Sequence, residues 1–245
     1  MRRFTVLLAA CLLAAGACSK SASPDAAPTS PAPSATPTPS ASASLGAVFY
    51  EDRFADKTKG WPEQETGAAA YVLHDDYAIK QYTVTAKSPG TSVAPHPAFR
   101  GITREQLTSY AVDATLQTTL HLSSADWFGV TCRDLGGKRY SFELGYDTAR
   151  TGTMPWLIAK HDASGVHVLA QGSTASGGSA FRVGATCTGG TGGPAHLTMT
   201  LNDTQVGGAD DADAPLPQGY AGVYLYTKVG TSTINVLDFA VRAAG

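Results

Sequence analysis

Basic residues are too few and too scattered in this 245-residue chain to form a polyanion-binding surface. Eighteen Lys and Arg stand against 20 Asp and Glu, and beyond Arg3 no basic run appears. Phosphate contacts need clustered Lys and Arg, so nucleic acid is not an expected partner. Catalytic signatures are missing as well. There is no G-x-S-x-G nucleophile elbow. His74, His96, His121, His161, His167 and His196 are scattered without H-x-H or H-E-x-x-H spacing, so no metal site and no cofactor are expected. No twelve-residue stretch carries a helical apolar stripe, which excludes a helical domain. Only "TREQLTSY" (103–110) has room for a short helical turn.

Long apolar runs are also absent, with one exception at the N-terminus. Arg2 and Arg3 precede a run from Phe4 to Ala15, about a dozen residues, which matches a secretory signal and is too short to span a bilayer. The run ends in "AAGAC". Ala15-Gly16-Ala17 suits an ordinary signal peptidase, and the same stretch resembles a bacterial lipobox with Cys18 as the lipidated residue. Ala15 stands where a lipobox usually has Leu. "LAAC" (Leu8 to Cys11) fits that position better but leaves a very short apolar run, so Cys18 is preferred. Cysteine is scarce, and its arithmetic agrees. Cys11 leaves with the signal; if Cys132 and Cys187 pair, Cys18 is the odd thiol in an oxidising compartment unless it is acylated. Plain secretion with a free Cys18 is the alternative. Two or more acyl chains anchor a protein stably where one does not. A palmitate-bearing lipoprotein on the extracytoplasmic face of a bacterial cell membrane is therefore expected.

Residues 19–44 hold no large apolar side chain. Of these 26 positions, 24 are Ser, Pro, Ala or Thr, the exceptions being Lys20 and Asp25. Such a segment cannot offset its ordering entropy and is expected to be a disordered tether. Its six prolines extend it to a reach between roughly 28 Å and about 80 Å. The expected organisation is a signal peptide (1–17), a lipidated Cys18 with linker (18–45), and one extracellular domain (46–245). Loss of Arg2 and Arg3 leaves 16 basic against 20 acidic residues, a mature net charge of −4.

Period-two alternation dominates the domain. In "YAVDATLQTTLHL" (110–122), Tyr110, Val112, Leu116, Leu120 and Leu122 share one face, opposite Asp113, Gln117 and His121. "WFGVTCRDLGGKRYSFELGY" (127–146) reads as a hairpin across Gly136-Gly137. Phe128, Val130 and Cys132 point inward on one strand, and Tyr140, Phe142, Leu144 and Tyr146 on the other. Further strands are expected at 48–54, 77–84, 156–161, 166–171, 181–187, 196–201, 220–227 and 233–241. A dozen strands in about 200 residues predict an all-β, two-sheet antiparallel β-sandwich, a jelly roll. Cys187 shares parity with Phe181, Val183 and Ala185, so Cys132 and Cys187 both face the core and are expected to form a disulfide bond in an exported domain.

The motif order runs from Phe54, Gly60 and Trp61 through "FGVTCR", "RYSFEL", "WLIAK", "VLAQG", "RVGATCTG" and "LTMTLN" to "GYAGVY" and "VLDFAV". Over about residues 47 to 242 this resembles the concanavalin A-like lectin/glucanase superfamily, in its laminin-G-like and 3-keto-disaccharide-hydrolase-like branch. The resemblance implies that the first and last strands are neighbours, with Phe49, Phe54, Leu237 and Phe239 closing the sandwich. The family's Asn-Gly hairpin is here Asn202-Asp203, which still suits positive φ. The superfamily's glucanases carry an E-x-D-x-x-E carboxylate set, which this chain lacks. Fold is the property such a resemblance transfers; function is not.

The candidate site is the face opposite the core parity. Trp127, Arg133 and Glu143 lie on it with Thr131, and Tyr220, Tyr224 and Tyr226 join from the penultimate strand, with Trp156 as a further candidate. Aromatic rings beside polar groups suit carbohydrate-binding by stacking and hydroxyl recognition, whereas tyrosines that bury the ring and wet the hydroxyl are equally a packing layer. Loop 88–101 is placed to cover this face. Glu143 is expected to pair with Arg133 across the hairpin. Its other possible partner, Asp147, stands about 13 Å away at strand rise, too far for glycosidase chemistry. "DDAD" (Asp210, Asp211, Asp213) reads as a solvated acidic loop rather than a calcium site. The expected function is a membrane-anchored, non-catalytic, monomeric binding module for a glycan or cell-envelope polymer. A glycoside hydrolase or lyase, and a protein-interaction or sensor domain, are the alternatives.

Overall fold

The computed structural model describes residues 46–245 except 66, 76–78, 104, 120–121, 124, 147–151 and 176–177. The signal peptide, Cys18 and tether, together with His121, Leu120 and Asp147, lie outside the described residues. Fourteen strands alternate along the domain: β1 (Val48–Asp52), β2 (Ala69–Asp75), β3 (Lys80–Ala86), β4 (Thr91–Val93), β5 (Tyr110–Thr118), β6 (Trp127–Leu135), β7 (Lys138–Gly145), β8 (Thr153–Asp162), β9 (Gly165–Ala175), β10 (Ala180–Gly189), β11 (Ala195–Leu201), β12 (Thr204–Asp211), β13 (Tyr220–Thr227) and β14 (Ser232–Ala243). The helical turn expected at 103–110 is a single 3-10 turn, Glu105–Leu107.

The strands form two antiparallel sheets. One runs β12-β11-β10-β5-β14-β3-β2, with β1 also paired to β14; the other runs β4-β13-β6-β7-β8-β9. The first and last strands are neighbours, as the resemblance implies, through Val48↔Arg242 and Asp52↔Phe239. Phe54 and Phe239 are fully buried, and Phe54, Trp61 and Tyr82 form an aromatic cluster with ring centroids 4.6–5.8 Å apart. Leu237 departs from its expected role. A register shift between Val236 and Asp238 leaves it half-exposed, outside the core.

Alternation fills the space between the sheets. Phe128, Val130, Cys132, Tyr140, Phe142 and Leu144 from the hairpin meet Val112, Leu116, Phe181, Val183 and Cys187. The hairpin closes through Gly136 and Gly137 at φ 63° and 83°, the conformation a two-residue turn between twisted strands demands. Asn202 and Asp203 do the same at φ 50° and 63°. Cys132 on β6 and Cys187 on β10 are bonded, with Cα atoms 6.7 Å apart, and tie one sheet to the other.

Three strands had no clear sequence signal: β2, β4 and β12. The last corrects the reading of "DDAD". Asp211 is buried, its carboxylate 2.9 Å from Lys160 Nζ, and it accepts from the Tyr140 hydroxyl at 2.7 Å. Lys160 donates its remaining protons to the carbonyls of Asp213 and Ala214. Asp210 stays exposed beside His196. The stretch is thus an edge strand ending in a satisfied buried ion pair.

Candidate functional site

Strand register places the candidate residues on the outer face of the six-stranded sheet. Tyr224 on β13 stands opposite Gly129 on β6, which stands opposite Glu143 on β7 and, beyond it, Leu157 on β8. One pleat along, Tyr226 stands opposite Trp127, which stands opposite Gly145. One pleat the other way lie Gly222, Thr131 and Ser141. Small residues therefore line the middle of the face, and large ones surround them.

The middle is covered by the protein's own side chains. Tyr224 is buried, its ring centroid 5.6 Å from that of His161, and the Arg139 guanidinium lies 5.5 Å from the Tyr224 centroid. Tyr224 belongs to β13 and His161 to β8, so the two rings reach toward each other across β6 and β7. Beneath them, Ser141 Oγ donates to Glu143 Oε1 at 2.5 Å and lies 2.8 Å from His161 Nε2. His161 Nε2 is also 3.4 Å from Glu143. Glu143 is only 4% exposed and Ser141 fully buried. The Thr131 hydroxyl, also fully buried, has no hydrogen-bond partner.

Burial pushes the Tyr224 hydroxyl far above its ordinary value; nearby Glu143 adds to the rise and Arg139 opposes it. Burial likewise raises the carboxyl of Asp134, against the attraction of Arg139, His96 and His161. Arg139 Nη1 lies 3.7 Å from Asp134 and Nη2 donates to Ser92 Oγ at 3.5 Å.

Ser141, His161 and Glu143 do not make a nucleophilic triad. A serine hydroxyl has one proton, and here Glu143 receives it. His161 Nε2 must then face Ser141 as a donor, whereas a general base would have to accept there. In a triad the carboxylate holds the opposite ring nitrogen; here serine and carboxylate share Nε2. Among the described residues no group of three His, Cys, Asp or Glu side chains converges as a metal-ligand set.

One end of the face remains accessible. Trp127 is half-buried, and its six-membered ring lies over Gly145: Cζ3 and Cη2 are 3.3 and 3.4 Å from where a Gly145 Cβ would stand. Pro155 Cγ is 2.7 Å from the same point, so any side chain at 145 would displace the platform. Tyr226, also half-buried, adjoins Trp127 on the other side. Trp127, Pro155 and Tyr226 form a row of flat apolar groups next to Leu157 and Glu143.

The segment after β4 lies against the same face at its far end. Pro95 O accepts from the Val223 amide at 3.1 Å, and a Cβ at Gly222 would fall 2.5 Å from Pro95 O and 3.0 Å from His96 Cβ. His96 and Phe99 both stack on Tyr220, with centroids 4.7 and 5.8 Å away. Tyr220 is thereby drawn under this strap rather than into an open groove.

Two expected positions are corrected. Arg133 does not pair with Glu143. A register shift between Cys132 and Leu135 and a φ of 54° at Arg133 itself break the alternation there. Its side chain turns into the end of the sandwich, fully buried, and donates to the carbonyls of Leu216, Thr108 and Gly189. Trp156 also faces inward. It spans the two sheets, its ring occupying the space a Cβ would need at Gly172 on β9 and Gly207 on β12. Sequence reasoning missed Ser141, His161, Arg139 and Pro155. Their parity was legible, but which strand lies beside which was not.

The chain matches no family model and no curated protein sequence. Solved structures with related architecture include the carbohydrate binding module CBM66 from Bacillus subtilis, at 11% identity and TM-score 0.46, covering 78% of this chain and 96% of that one. LamAcat from Zobellia galactanivorans gives 9% identity and TM-score 0.49, covering 81% and 98%. A bifunctional GH43-CE protein from Bacteroides eggerthii gives 10% identity and TM-score 0.48; 80% of this chain aligns, and it spans only 26% of that protein.

Proposed function

We propose that this protein is a glycan-binding module, non-catalytic and held at the outer side of a bacterial membrane by lipidated Cys18. The observation that carries the binding reading is the Trp127 platform: an indole seated over Gly145 and flanked by Pro155 and Tyr226. A pyranose ring has an apolar face of C–H groups that stacks on such a surface, while its hydroxyls seek polar groups at the margin. Exposed Gln171, opposite Leu157 in register, supplies a polar group at that margin. Rigid aromatic anchors of this kind carry a large share of binding energy at low entropic cost. The covered carboxylates favour binding over hydrolysis. Glu143 and Asp134 are 4% and 7% exposed, and each is engaged with neighbouring side chains rather than presented to a polymer.

Affinity electrophoresis against xylan, β-1,3-glucan, mannan, levan and isolated peptidoglycan tests the reading. At least one polymer is expected to retard the protein, and Trp127→Ala to weaken that binding by about 2 kcal/mol, roughly thirtyfold, with an unchanged thermal midpoint. Retardation that survives Trp127→Ala removes the platform from the site; no retardation by any polymer rejects the glycan reading. Anchoring is tested separately. Cys18→Ala is expected to move the protein from the membrane fraction to the soluble one, and unchanged partitioning refutes lipidation at this residue.

A further inference from the structure

We propose that the Trp127 platform is the middle of a track that crosses the strands, and that this track takes an internal stretch of an uncharged, extended polysaccharide. The inference rests on the glycan reading above and adds direction, length and charge to it. Register sets the track. Ser92 on β4 stands opposite Tyr226 on β13, Tyr226 opposite Trp127 on β6, and Trp127 opposite Gly145 on β7. Pro155 on β8 adjoins Gly145, and Ser173 on β9 stands opposite Pro155. One row thus crosses the whole six-stranded sheet, and its strand spacings sum to about 24 Å, the length of about five pyranose units end to end. Flat groups fill its middle. Ser92 and Ser173 lie exposed on the two edge strands, so neither end is walled and the polymer continues past both.

The indole fixes the direction. Its six-membered ring reaches from β6 over Gly145 toward Pro155, so the flat surface is continuous along the row and not along a strand. Gly145 permits this, since a Cβ there would stand 2.7 Å from Pro155 Cγ and 3.3 Å from Trp127 Cζ3. The route along the strands is closed. Tyr224 and His161, both buried, bring their ring centroids to 5.6 Å from each other across β6 and β7. The centre of the sheet is therefore taken by the protein's own rings, and a ligand is held to the Trp127 end.

Charge selects the kind of chain. On β6 to β9 neither this row nor the next one inward (Gly129, Glu143, Leu157 and Gln171) holds Lys, Arg or His. Glu143 is the one ionisable group of the two rows there. A polymer bearing uronate or phosphate would meet that acid and no counter-charge. Arg139 reaches the β4 end of the row, 3.5 Å from Ser92 Oγ, but it is already paired with Asp134 at 3.7 Å. Exposed Gln171 and Ser173 offer an amide and a hydroxyl, which bond sugar hydroxyls as donor or acceptor without charge.

The test is calorimetric titration of the full chain with xylo-, laminari- and manno-oligosaccharides of two to about seven units, beside affinity electrophoresis in polygalacturonate. In at least one series the association constant is expected to climb from two to about five units and level off beyond. Ser173→Tyr adds a ring at the exposed β9 end of the row. It is expected to tighten the longest oligosaccharide roughly fivefold and leave the disaccharide unchanged. Val166→Tyr, on the same strand but opposite His161, is expected to change neither. Failure of every series to bind, affinity already complete at two units, Ser173→Tyr without effect, or polygalacturonate retarding the protein as strongly as neutral polymers overturns the inference. Any polymer that still retards the protein then leaves the glycan reading standing, whereas retardation by none rejects both.

Discussion

Replacing Cys132 and Cys187 together by alanine is expected to lower the stability of the domain by about 4 kcal/mol. The bond links positions 55 residues apart, and opening it returns that loop's conformational freedom to the unfolded chain. Both sulfurs are fully buried, so the substitutions also remove packed atoms between the sheets. The thermal midpoint should fall by roughly 8–16 °C for a domain of this size. Urea unfolding gives the sharper readout. The midpoint concentration should drop while the slope rises, because an unlinked denatured chain exposes more surface. A loss under about 1 kcal/mol with an unchanged slope would show that the bond does not restrain the unfolded state as the chain-entropy model requires.

The disulfide was legible because it depends only on parity. Cys132 lies four residues after Phe128, and Cys187 six after Phe181. Uninterrupted alternation sends each pair to the same side, and all four side chains are in the core. The two-sheet architecture was legible for the same reason. So were the hairpins at Gly136-Gly137 and Asn202-Asp203, where local chemistry alone permits positive φ. What parity cannot supply is order across a sheet. β4 and β12 were missed because Ser and Gly fill positions where a strand usually signals itself with Val or Ile, and β2 because Tyr71, Val72 and Leu73 run consecutively without alternation. They are strands because long-range pairing makes them so.

The candidate site shows the same limit from another side. Trp127 and Tyr226 were placed on the correct face, and Tyr224 with them, yet Tyr224 is buried and Tyr226 is not. The difference lies in neighbours two and three strands away. His161 and Arg139 lean over the glycines and small residues at the centre and approach the Tyr224 ring, whereas among the described residues no such pair of rings or cations is seen over Trp127 and Tyr226. A single sequence gives no register between β13, β6, β7 and β8, so which aromatic would be roofed could not be read. Trp156 illustrates the converse. It was read as a candidate for the outer face, against its own parity with buried Ile158, and it faces inward, where glycines at 172 and 207 make room for its ring in both sheets.

Arg133→Met is expected to cost about 3–5 kcal/mol, although the residue lies at the end of a strand and carries no acidic partner. Its guanidinium holds three backbone carbonyls from three separate segments: Leu216 O at 2.6 Å, Thr108 O at 2.6 Å and Gly189 O at 2.9 Å. Burial lowers the pKa of the group, and the nearby Tyr110 and Tyr140 oppose that fall. Removal takes this donor from all three acceptors, and at the buried Leu216 carbonyl an orphaned group costs about 1–3 kcal/mol. Arg133→Lys should recover only part of the loss, because an ammonium lacks the planar fork that reaches divergent carbonyls. Gly190→Ala should mimic the defect from the other side: Gly190 has φ 85°, and a Cβ there would stand 2.4 Å from Arg133 Nη1. Chemical denaturation of each variant checks these values. The decisive measurement is the cycle with the cysteines. Cys132 precedes Arg133, and Gly189 lies two residues past Cys187, so covalent and hydrogen-bonded links join the same ends of β6 and β10. Neighbouring locks on one joint couple. With the disulfide gone, the guanidinium is less well positioned, and Arg133→Met should then cost less, by about 1 kcal/mol. Strictly additive losses would mean that the two links act independently and that this end of the sandwich is held elsewhere.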